Sequence, residues 1–273
     1  MKFENLKSAS DKVFRRITGV KRTTFETMVR IVQEALVLKK AKGGRRNKLS
    51  VENMLLITLE YLREYRTYAT IGMSYGLSES NAYQTIKWVE NVLVKSPEFH
   101  LPGKKALLKS DNEFEVILID VTESPIERPK KKQKQFYSGK KKRHSLKTQV
   151  VVNKKNKKII CLALANGRKH DFRIFKDSRT MINPTIQVVT DSGYQGIKKI
   201  HSHSKHPKKR SKKSPLTKQD KAQNKEISQA RILNENVIGL IKRFKIISDR
   251  YRNRRKHFGL RCNLIAGIHN YEI

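Results

Sequence analysis

Three carboxylates are set apart by where they fall in the chain. The 273 residues hold 24 Asp and Glu against 61 Lys and Arg, so an acid that ends an apolar run needs a reason, because a lone buried carboxylate is costly. Asp120 closes the run EVILID and Asp191 closes QVVTD. If these runs are adjacent parallel strands, both carboxylates emerge at one sheet edge, where ligands of α/β sheets gather. Such neighbours repel unless cations lie between them. Hard oxygen ligands with no Cys nearby suit magnesium, with manganese as the alternative. Two such ions about 4 Å apart serve phosphodiester chemistry, one activating water or a 3′-hydroxyl and the other stabilising the leaving oxygen. Glu235 is the expected third ligand. On the segment ISQARILNENVIGLIKRF it shares a helix face with Arg231, one turn before, and Lys242, about two turns after. Ala230, Leu233, Val237, Leu240 and Phe244 form a separate apolar stripe expected to pack into the core. That separation gives Arg231 and Lys242 the role of phosphate contacts.

Each acid also has a plainer reading. Asp120 or Asp191 could cap a turn or helix, and Glu235 could pair with Arg231 on the surface. Glu123 and Glu127, just beyond the first strand, are the substitutes if a ligand is misplaced. Asp171, after His170, reads as the N-cap of a helix beside the sheet.

The elements that must position these groups divide the chain. Residues 1–95 show apolar spacing of three or four and read as helical. One helix covers Thr23 to Lys40 before the Gly43-Gly44 break, and a second covers Val51 to Tyr65. A helix, a tight turn at Gly76-Leu77-Ser78 and a helix capped by Ser78 follow, which is helix-turn-helix syntax. A plain helical bundle is the alternative. Ala82, Ile86, Val89 and Leu93 bury one face of the last helix, leaving Ser80, Asn81, Gln84 and Lys87 placed to reach base edges in a major groove. Pro97 and the LPGKK of 101–105 mark a linker. From Glu115 the period changes: EVILID, LKTQVVVN and KKIICLALAN read as strands, Asp171 to Met181 as a helix and IQVVTDSG as a fourth strand. Helices from about Ile227 to Phe244 and from Leu264 to Tyr271 close the chain. The expected fold is α/β, a ribonuclease-H-like core preceded by an all-α helix-turn-helix domain. The expected domains are 1–96, a linker at 97–112, and 113–273.

Charge narrows the partner. A formal net charge of +37 calls for a polyanion, so double-stranded DNA is the expected ligand. Residues 130–147 hold nine Lys or Arg and no acid, and residues 205–225 are similarly basic with Asp220 the sole acid. Both are read as loops of a phosphate-gripping channel, with Lys140, Lys141, Lys142 and Arg143 as DNA contacts; plain solvated loops are the alternative. No run approaches the roughly 20 apolar residues of a membrane span, and the first residues lack the apolar stretch of a signal peptide, so a cytoplasmic protein is expected. Cys161 and Cys262 lack zinc-ligand spacing and read as packed, reduced thiols.

The phrases VFRRITGVKRTTFETM, LEYLREYRTYATIGMSYGLSES, LIDVTESPIERP, GRKHDFRIFKDS, VVTDSGYQG, ISQARILNENVIGLIKRFKI and LIAGIHNYE span nearly the whole chain. They resemble the DDE-superfamily transposases of bacterial insertion sequences, in the group named after insertion sequence five. The resemblance implies that Asp120, Asp191 and Glu235 are the catalytic acids. It also implies binding to the element's terminal inverted repeats, metal-dependent cleavage and transfer to target DNA, and assembly as a homo-oligomer across two ends. Arg231 and Lys242 match the pattern around the family's Glu, whereas Ser228 stands where relatives carry Tyr. Two other functions stay open: a DNA-binding regulator or inactive copy without chemistry, and a nuclease of the same fold that does not join strands.

Overall fold

The structure is a computed structural model and describes residues 2–109, 114–210 and 215–273. The end of the expected linker (110–112), the first residue of the expected catalytic domain and residues 211–214 of the second basic segment lie outside the described residues. The chain forms two compact units: Met1–His100 with Lys242–Asp249 and Asn253–Glu272, and Leu101–Ile241 with Arg250–Arg252 and Ile273.

The first unit begins with α1 (Asp11–Thr18), whose N-cap Ser10 accepts from the Val13 N–H and which stops at left-handed Gly19. There follow α2 (Arg22–Lys40), α3 (Val51–Glu64, capped by Ser50), α4 (Tyr68–Tyr75, capped by Thr67) and α5 (Glu79–Lys95, capped by Ser78). The cap hydroxyls satisfy amides that the first turn of each helix leaves without a carbonyl. Between α4 and α5 the chain turns at left-handed Gly76. A Cβ on Gly72 would lie 2.7 Å from the Leu77 carbonyl oxygen, so the turn closes only over glycine. Ala82, Ile86, Val89 and Leu93 of α5 are fully buried, as their spacing predicts. The 97–99 stretch is not an open linker: it is a 3-10 turn with Phe99 buried.

In the second unit β1 (Val116–Pro125) is central. The short helix α6 (Gln133–Phe136) and β2 (Tyr137–Ser138) lead into β3 (Arg143–Asn153), then β4 (Ile159–Asn166), α7 (Asp171–Asp177), β5 (Gln187–Thr190), β6 (Ser204–Lys205) and α8 (Lys218–Lys242). The sheet order is β2-β3-β1-β5-β6, with β4 also pairing with β3. The β1, β3 and β4 strands run antiparallel, and β5 joins β1 in parallel through the α7 crossover. This is the expected ribonuclease-H-like arrangement. Ile117, Ile119, Val151, Phe175, Val188 and Tyr194 form the core on one face of the sheet. At the start of α8, Thr217 and Asp220 exchange backbone and side-chain hydrogen bonds as a reciprocal cap.

The chain then returns to the first unit with α9 (Lys245–Ser248) and α10 (Phe258–Glu272). The last expected helix is thus longer than its Leu264–Tyr271 reading and packs with the N-terminal helices, whereas 113–273 was expected to form one domain. A Cβ on Gly267 would sit 1.9 Å from the Phe99 carbonyl oxygen, so α10 lies directly on the 97–99 turn. No helix among the described residues is long and apolar enough to cross a membrane.

Candidate active site

Asp120 does not end its strand, contrary to expectation. The β1 strand runs five residues past it to Pro125, held throughout by β3, while its parallel partner β5 stops where Ile119 pairs with Thr190. Asp120 and Asp191 are therefore the next residues on neighbouring parallel strands, about 4.8 Å apart in backbone spacing. One oxygen of each is fixed by a backbone N–H: Asp120 Oδ1 accepts from Val121 at 2.8 Å, and Asp191 Oδ1 accepts from Gly193 at 2.9 Å. Burial pushes the Asp120 carboxyl up to about 6; the Val121 N–H and Arg231 oppose the rise, and the charges of Asp191 and Glu235 add to it. Charge crowding among the three acids is thus a property of the fold.

Arg231 stands between two of them. Its Nη2 lies 4.0 Å from Asp120 Oδ2 and 3.6 Å from Glu235 Oε1, and the Glu235 side chain is 58% exposed. Among the described residues, no three His, Cys, Asp or Glu side chains close on a common point. Asp120 and Asp191 are brought together, and Glu235 reaches them through Arg231. Lys242 is the last residue of α8. The apolar stripe expected on this helix is displaced: Leu240 is 46% exposed and Phe244 lies beyond the helix end, while Ile227, Asn234, Val237, Ile238 and Ile241 are buried. Ile232, Leu233, Val237, Ile238, Leu240 and Ile241 spread apolar side chains over several sides of α8, so spacing alone does not choose the buried face.

Other residues tie the site down that spacing did not single out. Tyr194 is fully buried against Phe172 and Phe175, and its hydroxyl donates to Gln149 Oε1 at 3.3 Å. It anchors the turn in which the Gly193 N–H holds Asp191; a Cβ on Gly193 would press to 3.0 Å from Asp191 Oδ1. The signals were a Gln directly before the Val150–Val152 run and a Tyr directly after the turn glycine. Lys147, counted within the first basic segment, is nearly buried and donates to Asp171 at 2.8 Å while lying 3.8 Å from Glu123. Asp171 is accordingly the first residue of α7 and not its cap, and α7 ends at Asp177, short of the expected Met181. Glu123 accepts from Ser138 and Ser145, which gives it a structural role; Glu127 is exposed.

The surfaces expected to meet DNA fall as follows. Ser80, Asn81, Gln84 and Lys87 are all exposed on α5. Asn81 and Gln84 line a cleft of about 290 Å³ with Arg45, Arg46 and Trp88. The 130–147 segment is not an open loop: Phe136 is buried, and β2 and β3 make a hairpin with Lys140, Lys141, Lys142 and Arg143 exposed at its tip. Cys161 and Cys262 are free and buried, as expected, and burial pushes the Cys161 thiol up to about 12.

Comparison with known proteins agrees with this architecture. The family described as "DDE superfamily endonuclease" matches residues 119–270, from the first core strand through α10. That described as "Helix-turn-helix of DDE superfamily endonuclease" matches residues 47–99, which contain α3, α4 and α5. A protein of Microchaete diplosiphon named "Probable transposase for insertion sequence element IS702" is 50% identical over 100% of this chain and 99% of its own length. The chain belongs to the DDE-superfamily transposases of insertion sequences. No solved structure matches it significantly. The α3 to α5 segment is thus a helix-turn-helix and not a plain bundle.

Proposed function

We propose that the chain binds the terminal inverted repeats of its element through the helix-turn-helix and cleaves and joins DNA at Asp120, Asp191 and Glu235. The observation that carries this reading is the parallel β1–β5 register, which sets two carboxylates side by side with Arg231 and Glu235 of α8 against the first. The residues fit a divalent metal, magnesium or manganese. Two like-charged carboxylates, each aimed by a backbone N–H, and one of them pushed towards neutrality by burial, form an arrangement that a cation relieves. Bound metal would activate the attacking oxygen and stabilise the leaving one. Asp120 and Asp191 provide rigid oxygens, and Glu235, on the exposed face of α8, completes the set. Arg231 holds the two sides in register and is the phosphate contact nearest the acids, with Lys242 further along α8. Lys147 keeps Asp171 and Glu123 paired away from the site. Asn81 and Gln84 read bases, Ser80 and Lys87 flank them, and Lys140 to Arg143 grip backbone phosphates. Joining two ends requires a second copy, so a homo-oligomer performs the reaction.

The test is cleavage and joining of labelled terminal-repeat duplexes in magnesium by wild type and by Asp120→Ala, Asp191→Ala and Glu235→Ala. Metal-dependent cleaved and joined products, lost in all three variants with duplex binding retained, are expected. Cleavage without joined products would instead favour a nuclease. Duplex binding without any cleavage would favour a regulator or silent copy.

A further inference from the structure

Neither matched family reaches the first 46 residues, yet these contribute most of a cleft of about 720 Å³ in the helical unit. Its wall is cationic. Lys12, Arg15 and Arg16 come from α1, Lys21 and Arg22 from the start of α2, and Arg63 and Arg243 close the far side. Against these seven stand Asp11, which pairs with Arg22 at 2.9 Å, Glu64, 3.3 Å from Arg63, and the buried carboxylate of Glu272. The cations outnumber these acids by four.

Glu272 shows what the cleft holds. Its side chain is 4% exposed and accepts from Arg15 Nη2 at 2.9 Å, from Arg243 Nη2 at 3.0 Å and from the Lys21 backbone N–H. The chain's own carboxylate thus occupies the corner where two guanidinium groups meet the N-terminus of a 19-residue helix, a setting that favours anions. One carboxylate does not satisfy the cluster: Arg63 Nε and Arg243 Nε are buried without a hydrogen-bond partner. Burial and the charges of Arg15 and Arg63 pull the Arg243 pKa down against the support of Glu272. At the open rim, Lys12 and Arg16 are exposed and form no ion pair among the described residues.

We propose that this cleft is a second DNA-binding surface, taking backbone phosphates of a duplex at Lys12 and Arg16 while Arg15, Arg243 and Glu272 hold its floor. Guanidinium forks and an open trough suit a run of phosphates, whose contribution is independent of sequence. This inference rests on DNA being the ligand of the helical unit. It adds a contact distinct from α5.

The experiment measures the affinity of the full chain for a random-sequence duplex across a salt series. The variants are the Lys12→Gln, Arg16→Gln double and, as a charge-matched control, the Lys154→Gln, Lys155→Gln double in the exposed turn between β3 and β4. Losing two phosphate contacts lowers the slope of log affinity against log salt by about 1.8. The cleft variant is expected to show that drop, with roughly tenfold or greater weakening at low salt, an unchanged melting temperature and a control close to wild type. An unchanged slope, or an equal fall in both doubles, overturns the cleft proposal while leaving DNA binding intact. Failure of the wild type to bind any duplex overturns DNA binding by the whole chain, and the cleft with it.

Discussion

The Asp120 carboxyl is held where its charge is least welcome. Burial first, then the neighbouring Asp191 and Glu235, lift its pKa from 3.8 to about 6. A folded-state value above the unfolded one means that Asp120 contributes most favourably below pH 4, and that this contribution is lost as pH rises through 6. In protein stripped of metal by chelation, Asp120→Asn is therefore expected to exceed wild type in stability at pH 7 by on the order of 2 kcal/mol. The difference should shrink to nothing below about pH 4, and saturating magnesium should close it at pH 7 by stabilising wild type alone. Urea denaturation across pH, with and without magnesium, measures this. Equal stability of the two proteins at pH 7 without metal would show that crowding of the acids is not a cost the fold carries.

Helices and turns carry the second tier of constraint, and glycine marks where it is tightest. On α10, Gly267 faces the Phe99 carbonyl so closely that a methyl group would meet backbone at 1.9 Å. Gly267→Ala is expected to destabilise by about 2–3 kcal/mol. Gly239→Ala on α8, where a Cβ would meet nothing within 4 Å, should instead stabilise by about 0.5–1 kcal/mol through helix propensity. Thermal unfolding of both variants checks the pair, and a neutral Gly267→Ala would mean that α10 does not seat on the 97–99 turn. Much at this level could be read from the chain. Apolar spacing placed α3 to within a residue, and the Ser78 cap with the Ala82–Ile86–Val89–Leu93 spacing placed the start and the buried face of α5, because local rules govern helix starts and buried faces. Asp120 and Asp191 were legible as a pair for the same reason: apolar runs with an acid at a fixed place. The continuation of β1 was not, since Thr122 to Pro125 are polar or turn-forming residues that β3 recruits by long-range pairing. Nor was the buried face of α8, where Asn234 is inside and Leu240 outside. The Lys147–Asp171 pair joins residues 24 apart across two elements, which no local pattern reveals.

For the whole molecule, the decisive fact is that the helical unit is discontinuous in sequence. Glu90 on α5 is buried against Arg261 of α10 at 2.8 Å, Glu272 against Arg15, and Gly19 against Phe244. Apolar periodicity marked α10 as buried but not by what. Leaving Glu90 without its guanidinium partner costs about 3–5 kcal/mol, comparable to the stability of a small unit. The fragment Met1–His100 is therefore expected to lack a cooperative melting transition and to bind duplex far more weakly than the full chain. Circular dichroism melting and a binding titration test this; a fragment that melts cooperatively with full affinity would overturn it. The same discontinuity sets an order of events during synthesis. At about 5–20 residues per second, the ribosome needs roughly 10–30 seconds after finishing residue 100 to deliver α10. During that interval the sheet unit can collapse, but the helix-turn-helix has no partner for Glu90. A messenger cut short anywhere in that span is therefore expected to yield a fragment whose helical unit cannot close.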